Sequence, residues 1–215
     1  ENAALAAADA SWDALLARHV KWLPDNRQSR VNYRGFKADR AELGRVLAAW
    51  SAVPRASFNG WPREQQMAFL INAYNAFTIE LINRNQERRS IRKISRPWGV
   101  EFIRIGGRTL SLDDIEHEII RKDFREPRIH FALVCAAKGC PPLRREAYTG
   151  ALLERQLDDQ AMTFLTRTPA KNRVDVARGT AWRSPIFKFR DYERDFGGSR
   201  EAIGRFVAGY FRRAG

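Results

Sequence analysis

Two cysteines, three histidines and a handful of carboxylates are the residues of this chain whose types and spacing could do chemistry. Cys135 and Cys140 lie five positions apart. The first ends the apolar run Ile129-His130-Phe131-Ala132-Leu133-Val134, and the second precedes Pro141-Pro142. A thiolate is the nucleophile of cysteine-dependent acyl transfer, and it forms near neutral pH when an imidazole or a helix N-terminus lowers the thiol's pKa. His117 follows Asp113 by four residues, a spacing that lets a carboxylate orient an imidazole on one helix face. It is also a spacing found on ordinary helix surfaces. Glu116 falls on the apolar side of the same segment or at its margin, where a carboxylate needs a cation or hydrogen-bond donors. An arginine ion pair is the plainer use of it. The candidate catalytic residues are therefore Cys135, Cys140, His117, Asp113 and Glu116.

His130 is set apart by geometry. If Ile129–Cys135 is a regular strand, side chains alternate, and His130 and Cys135 point to opposite faces with Cα atoms about 16 Å apart. A direct His130–Cys135 dyad is not expected on that reading, and His130 is placed among substrate-binding candidates. Asn72 and Asn75 join it there. They lie three apart in the run Ala68-Phe69-Leu70-Ile71-Asn72-Ala73-Tyr74-Asn75-Ala76-Phe77-Thr78, apolar nearly all round. A buried amide without partners costs on the order of 1–3 kcal/mol. Both amides must bond to something, either neighbouring loop backbone, the favoured reading, or a polar site. The two thiols can alternatively pair as a disulfide if the loop between them turns back. Two cysteines and three scattered histidines do not make a zinc site. No phosphate-binding glycine loop, serine-hydrolase elbow or paired-histidine motif is present. No metal or cofactor is expected.

The elements that must position these residues follow from periodicity. Asp9–Leu23 and Asp39–Trp50 read as amphipathic helices. Pro62 opens a third helix, whose stretch from Ala68 to Ile82 should be central and buried. Trp98–Ile105 and Arg108–Leu110 form a hairpin around Gly106-Gly107. Ser111 caps a helix to Arg121 with Asp114 three residues on, a variant capping box, and Leu112, Ile115 and Ile119 face the core. Tyr148-Thr149 precedes a helix to Leu165. Val174–Trp182 forms a second hairpin around Arg178-Gly179. Ser199 caps a last helix carrying Ile203, Phe206, Val207 and Phe211. The expected fold is α+β: one domain over residues 1–215, mostly helical, with the buried central helix packed on a small antiparallel sheet.

The chain has 215 residues and a formal net charge of +13. Such a surface suits an anionic ligand or polymer, or an acidic partner. The basic residues are nonetheless spread along the chain, with one denser run at Arg84, Arg88, Arg89, Arg92, Lys93 and Arg96. No stretch has the length and apolarity of a membrane-spanning helix. The chain begins at Glu1, which fits a mature form whose targeting segment has been removed, so an exported or periplasmic location is expected, with a cytoplasmic one as the alternative.

Taken together, the Asn72–Asn75 run, Leu112-Asp113-Asp114-Ile115-Glu116-His117 with Arg121, and His130-Phe131-Ala132-Leu133 with Cys135 and Cys140-Pro141 resemble the domain of unknown function 547 family. Ser184, Ile186-Phe187-Lys188 and Asp195-Phe196 complete the pattern. Val134 stands where many members carry Asn. The resemblance implies a shared fold rather than an activity. Three functions stay open. The first is a cysteine-dependent hydrolase or acyl-transferase of papain-like or transglutaminase-like type, with His117 as base. The second is a basic, non-catalytic binding module in the cell envelope, and the third a scaffold held by a Cys135–Cys140 disulfide.

Overall fold

Trp12, Leu15, Leu16 and His19 recur at helical spacing, and all four are buried along α1 (Ala3–His19). In the computed structural model, residues 3–25, 28–85, 91–136, 140–175, 177–178 and 180–215 are described, with only the backbone at 189 and 190. The expected first helix ends earlier than its apolar pattern. Val20–Trp22 leaves it as strand β1 and pairs antiparallel with β2 (Ser29–Val31). Periodicity did not show this hairpin, because a three-residue strand leaves no alternation to read.

Next come α2 (Tyr33–Ala38), α3 (Arg40–Ser51), α4 (Arg55–Asn59) and α5 (Arg63–Asn85). A helix apolar on every face must be surrounded on every face. Helix α5 is buried continuously from Met67 to Asn83. Its neighbours are α2, α3 and segments further along the chain, and Trp50 and Trp61 meet Phe69 edge to face. The hairpin expected around Gly106-Gly107 is β3 (Ile103–Ile105) with β4 (Arg108–Leu110), and both glycines take positive φ. The later hairpin is β5 (Arg173–Asp175) with β6 (Thr180–Trp182). Gly179, expected in its turn, lies outside the described residues. Strands are therefore held in three separate antiparallel pairs within a mostly helical α+β domain.

Ser111 and Asp114 form the expected box: the Asp114 carboxylate accepts from Ser111 N at 2.8 Å, and Ser111 Oγ accepts from Asp114 N at 3.1 Å. Beyond it the chain winds as a π-helix, Asp114–Phe124. Bonds from i to i+5 change which side chains share a face. Ile115 and Ile120 are fully buried, whereas Ile119, expected in the core, is only partly buried.

The largest departure is at Ile129–Cys135, which forms no strand. Pro127–Phe131 is a 3-10 helix, opened by Pro127 and by the Glu126 carboxylate accepting from Arg128 N at 2.9 Å. Ile91–Lys93 and Gly150–Leu152 are further 3-10 turns, the latter leading into α6 (Leu153–Thr166), and Pro185–Phe196 is a longer 3-10 segment. Ser199 Oγ accepts from Ala202 N to start α7 (Arg200–Ala214). Two apolar cores result. The larger surrounds α5, and the smaller gathers Phe131, Phe164, Phe187, Phe196 and Val207. Ile129 belongs to the first and Phe131 to the second, so His130 sits at their seam.

Candidate functional site

The chain between the 3-10 helix Pro127–Phe131 and α6 has little regular structure, yet much of it is buried. Its backbone groups need partners other than a ladder. Buried amides supply them. Asn75 Nδ2 donates to Ala132 O at 3.0 Å, and its Oδ1 accepts from Val134 N at 2.9 Å. Asn72 Nδ2 donates to Tyr148 O at 2.8 Å, and its Oδ1 accepts from Tyr148 N at 2.9 Å. Gln160 donates to Phe131 O and Pro142 O, and Gln156 to Ala147 O. Asn72 and Asn75 are thus used as clamps on loop backbone. Val134 enters the clamp through its backbone nitrogen, which any residue type there could supply.

These clamps shape a cavity of about 260 Å³ at the seam of the two cores, walled by Glu116, His130, Tyr192 and both cysteines. With residues 127–131 coiled rather than extended, the alternation expected of a strand is absent, and His130 and Cys135 both line one cavity. The sulfurs of Cys135 and Cys140 are joined in a disulfide, with Cα atoms 6.1 Å apart. Cys140 is the more enclosed, at 8% exposure, and Cys135 is half-buried.

His130 Nε2 lies 2.6 Å from Asp195 Oδ2. Burial pushes the imidazole below its ordinary pKa, and the Asp195 bond opposes that shift only in part. The neutral ring therefore donates from Nε2, leaving Nδ1 as its acceptor nitrogen. Tyr192 stacks on the ring at 3.6 Å between centroids. Burial raises the Asp195 carboxyl, but the bonds from His130 and Arg121 outweigh it and hold the group below the usual carboxylate range. Arg121 Nε reaches Asp195 Oδ2 at 2.6 Å.

Arg121 also donates to His117 Nδ1 at 3.0 Å, while His117 Nε2 faces Asp113 Oδ1 at 3.6 Å. Asp113 and His117 are neighbours, as the spacing suggests, but at 3.6 Å they lie beyond hydrogen-bond distance, while Nδ1 is taken by Arg121. Asp113 lines the cavity and His117 does not. Glu116 is only 5% exposed. It accepts from Tyr74 Oη at 3.3 Å and from the Tyr192 hydroxyl, not from the arginine expected. Burial, with the Glu116 charge adding, raises Tyr74 well above the ordinary phenol range, so its hydroxyl stays a donor. Trp98 Nε1, also in a residue of the wall, is buried and has no partner among the described residues.

Sequence reasoning did not find Asp195, Tyr192 or Tyr74 as site residues. Asp195 stands 65 positions from His130, and no periodic signal links them. In the basic run, Arg84 bonds Glu80 at 2.8 Å and lies over Phe102, Arg92 lines the cavity, and Arg88 and Arg89 lie outside the described residues. Among the described residues no helix is long and apolar enough to cross a membrane, and no cluster has the make-up of a metal site.

No curated protein and no solved structure matches the chain. The family model described as "Protein of unknown function, DUF547" matches residues 58–165, half of the chain. That span includes the clamps, the π-helix, His130 and both cysteines, and stops before Tyr192 and Asp195. The chain belongs to the DUF547 family.

Proposed function

We propose that the chain is a thiol-dependent hydrolase or acyl-transferase whose centre is the cavity shared by His130 and the cysteine pair, with the disulfide as its oxidised form. The observation that carries this reading is the His130–Asp195 bond of 2.6 Å in a cavity that both cysteines also line. A half-buried carboxylate fixing one imidazole nitrogen leaves the other as a base. Cys135, the less enclosed sulfur, is the nucleophile. His130 takes the base role that spacing had suggested for His117, and Asp195 takes the orienting role suggested for Asp113 or Glu116.

Activation requires a dithiol reductant. It transfers two electrons and two protons to the disulfide and leaves as its own disulfide, giving two free thiols. The Cys135 proton passes to His130 Nδ1, and the thiolate attacks an acyl carbonyl. His130 returns the proton to the leaving group, and a thioester remains for water or another acceptor to release. Export to an oxidising compartment is consistent with a disulfide resting form.

The test uses the full chain, reduced and then alkylated with iodoacetamide across pH, with each cysteine followed by peptide mass spectrometry. Cys135 reacts well below pH 8, and His130→Ala slows it about tenfold or more. A fall on His117→Ala alone returns the base role to that residue. Equal, sluggish thiols unaffected by His130→Ala overturn the enzyme. They favour the second reading, a disulfide-held binding module, which the paired sulfurs and the committed Asn72 and Asn75 amides support.

A further inference from the structure

A second cavity, of about 540 Å³, lies at the far end of α5 between the β1–β2 hairpin and α2. Arg18, Lys21, Arg30, Arg34 and Lys37 line it, and among the described residues no carboxylate does. Arg18 is spoken for, with Asp39 at 2.6 Å and Glu42 at 3.0 Å, and His19 is bonded to Asp39 at 2.6 Å. Lys21, Arg30, Arg34 and Lys37 have no ion-pair partner among the described residues. Lys21 and Arg30 are direct cross-strand partners in the hairpin register. Like charges facing each other across an antiparallel pair destabilise it unless something screens them.

The wall also holds a donor without an acceptor. Asn83 is 3% exposed, and its amide nitrogen is buried with no partner among the described residues. A buried, unpaired amide donor is costly, and native structures leave few of them. The terminal torsion of an asparagine is soft, so the amide of this lining residue can reorient toward a ligand. Four uncommitted cations and an idle amide converge on one concave space of small-ligand size.

We propose that this cavity is a binding site for a small, multiply charged oxyanion, a phosphate or pyrophosphate group, seated between the hairpin cations and Lys37 with Asn83 as a neutral donor. Charged donors make the stronger hydrogen bonds to such oxygens, and Arg30 and Arg34 suit them by geometry. The inference is independent of the thiol chemistry, since none of its residues lines the His130 cavity. No residue of the denser basic run at Arg84–Arg96 lines it. A concave space of small-ligand size favours a compact ligand over a polymer lying along the surface.

The test titrates the full chain with inorganic phosphate, pyrophosphate and sulfate at constant ionic strength, read by calorimetry and by thermal melting. Pyrophosphate binds saturably and raises the melting temperature. The exposed-residue variant Arg30→Gln/Lys37→Gln, which leaves the core untouched, weakens it about tenfold or more. Asn83→Ala weakens it further, read against its own ligand-free melting temperature. A response that sodium chloride reproduces overturns the proposal, and so does an affinity unchanged in the double variant. Binding confined to long single-stranded oligonucleotides, with a steep salt dependence and no effect of Asn83→Ala, also overturns it and assigns the charge to a polyanion surface.

Discussion

His130 Nε2 and Asp195 Oδ2 are 2.6 Å apart although 65 positions separate the residues. The carboxylate is shared with Arg121, so it carries a cation on one side and a neutral imidazole on the other. Tyr192 covers the ring face, and Glu116 adds negative charge from the π-helix. One 3-10 helix, one π-helix and one C-terminal 3-10 segment each contribute a group, and two cores meet where they do.

The buried imidazole gives the first prediction, a pH dependence of stability. Its folded pKa is below the unfolded value, burial being the larger cause and the Asp195 bond opposing it. The unfolded chain therefore binds a proton at a higher pH than the folded one. Stability is held above the unfolded pKa of about 6.5 and falls as pH drops below it, until the folded pKa is reached. Asp195 acts in the same direction at lower pH, because its depressed carboxyl adds stability that is lost as it protonates. Melting temperatures at pH 7.5 and 5.5 differ in the wild type, and His130→Asn shrinks the gap. An unchanged gap shows that His130 does not carry it.

The Asn75 clamp gives the second. Asn75→Leu removes partners from both Ala132 O and Val134 N. Each buried backbone group left unpaired costs about 1–3 kcal/mol, so the variant loses about 2–5 kcal/mol in denaturant titration. Asn75→Asp keeps an acceptor for Val134 N and loses the donor to Ala132 O. It also brings a charge into the core, so it is no milder. A loss below about 1 kcal/mol in either variant shows that water replaces the clamp.

What the sequence made legible is what repeats or sits beside its partner. The apolar run of α5, the Ser111–Asp114 box, the Ser199 cap and the glycine turn at 106–107 were all readable. Ile129–Cys135 misled because a short apolar run does not distinguish a strand from a buried helical turn. Glu126-Pro127 was the local sign of a helical start there. The π-helix moved burial from Ile119 to Ile120, a shift that α-helical spacing cannot foresee. Asp195, Tyr192 and Gln160 come from elements far along the chain, and their roles exist only once two cores meet. The clamp role favoured for Asn72 and Asn75 needed only the cost of burying an amide, and so it was within reach.

The disulfide gives the third prediction. Cys135 and Cys140 close a short loop, for which the chain-entropy account gives roughly 2 kcal/mol of stabilisation. For a domain of this size that corresponds to a melting shift of roughly 4–8 °C. Reduction lowers the melting temperature by that order while the far-ultraviolet circular dichroism persists, since the clamps on Ala132, Val134 and Tyr148 do not depend on the bridge. Complete loss of structure on reduction shows instead that the bridge is what holds the cavity wall.

Gly35 gives a prediction whose sign sets two effects against each other. It lies within α2, where Ala is intrinsically better than Gly by about 1 kcal/mol. Helix propensity alone makes Gly35→Ala stabilising. The added Cβ, however, falls 2.2 Å from His19 Nδ1 and 2.8 Å from Asn32 Nδ2. Neither neighbour is at liberty to move away. His19 is fixed by Asp39 at 2.6 Å and packs against Phe36, with ring centroids 4.9 Å apart. Asn32 caps the same helix by accepting from Gly35 N at 3.0 Å. Overpacking at such a site costs about 1–3 kcal/mol or more, so it exceeds the propensity gain and the variant melts lower. His19→Ala in the Gly35→Ala background relieves the contact, and the double variant loses less than the sum of the two single losses. Additive losses, or a stabilised Gly35→Ala, show that α2 shifts to admit the methyl group.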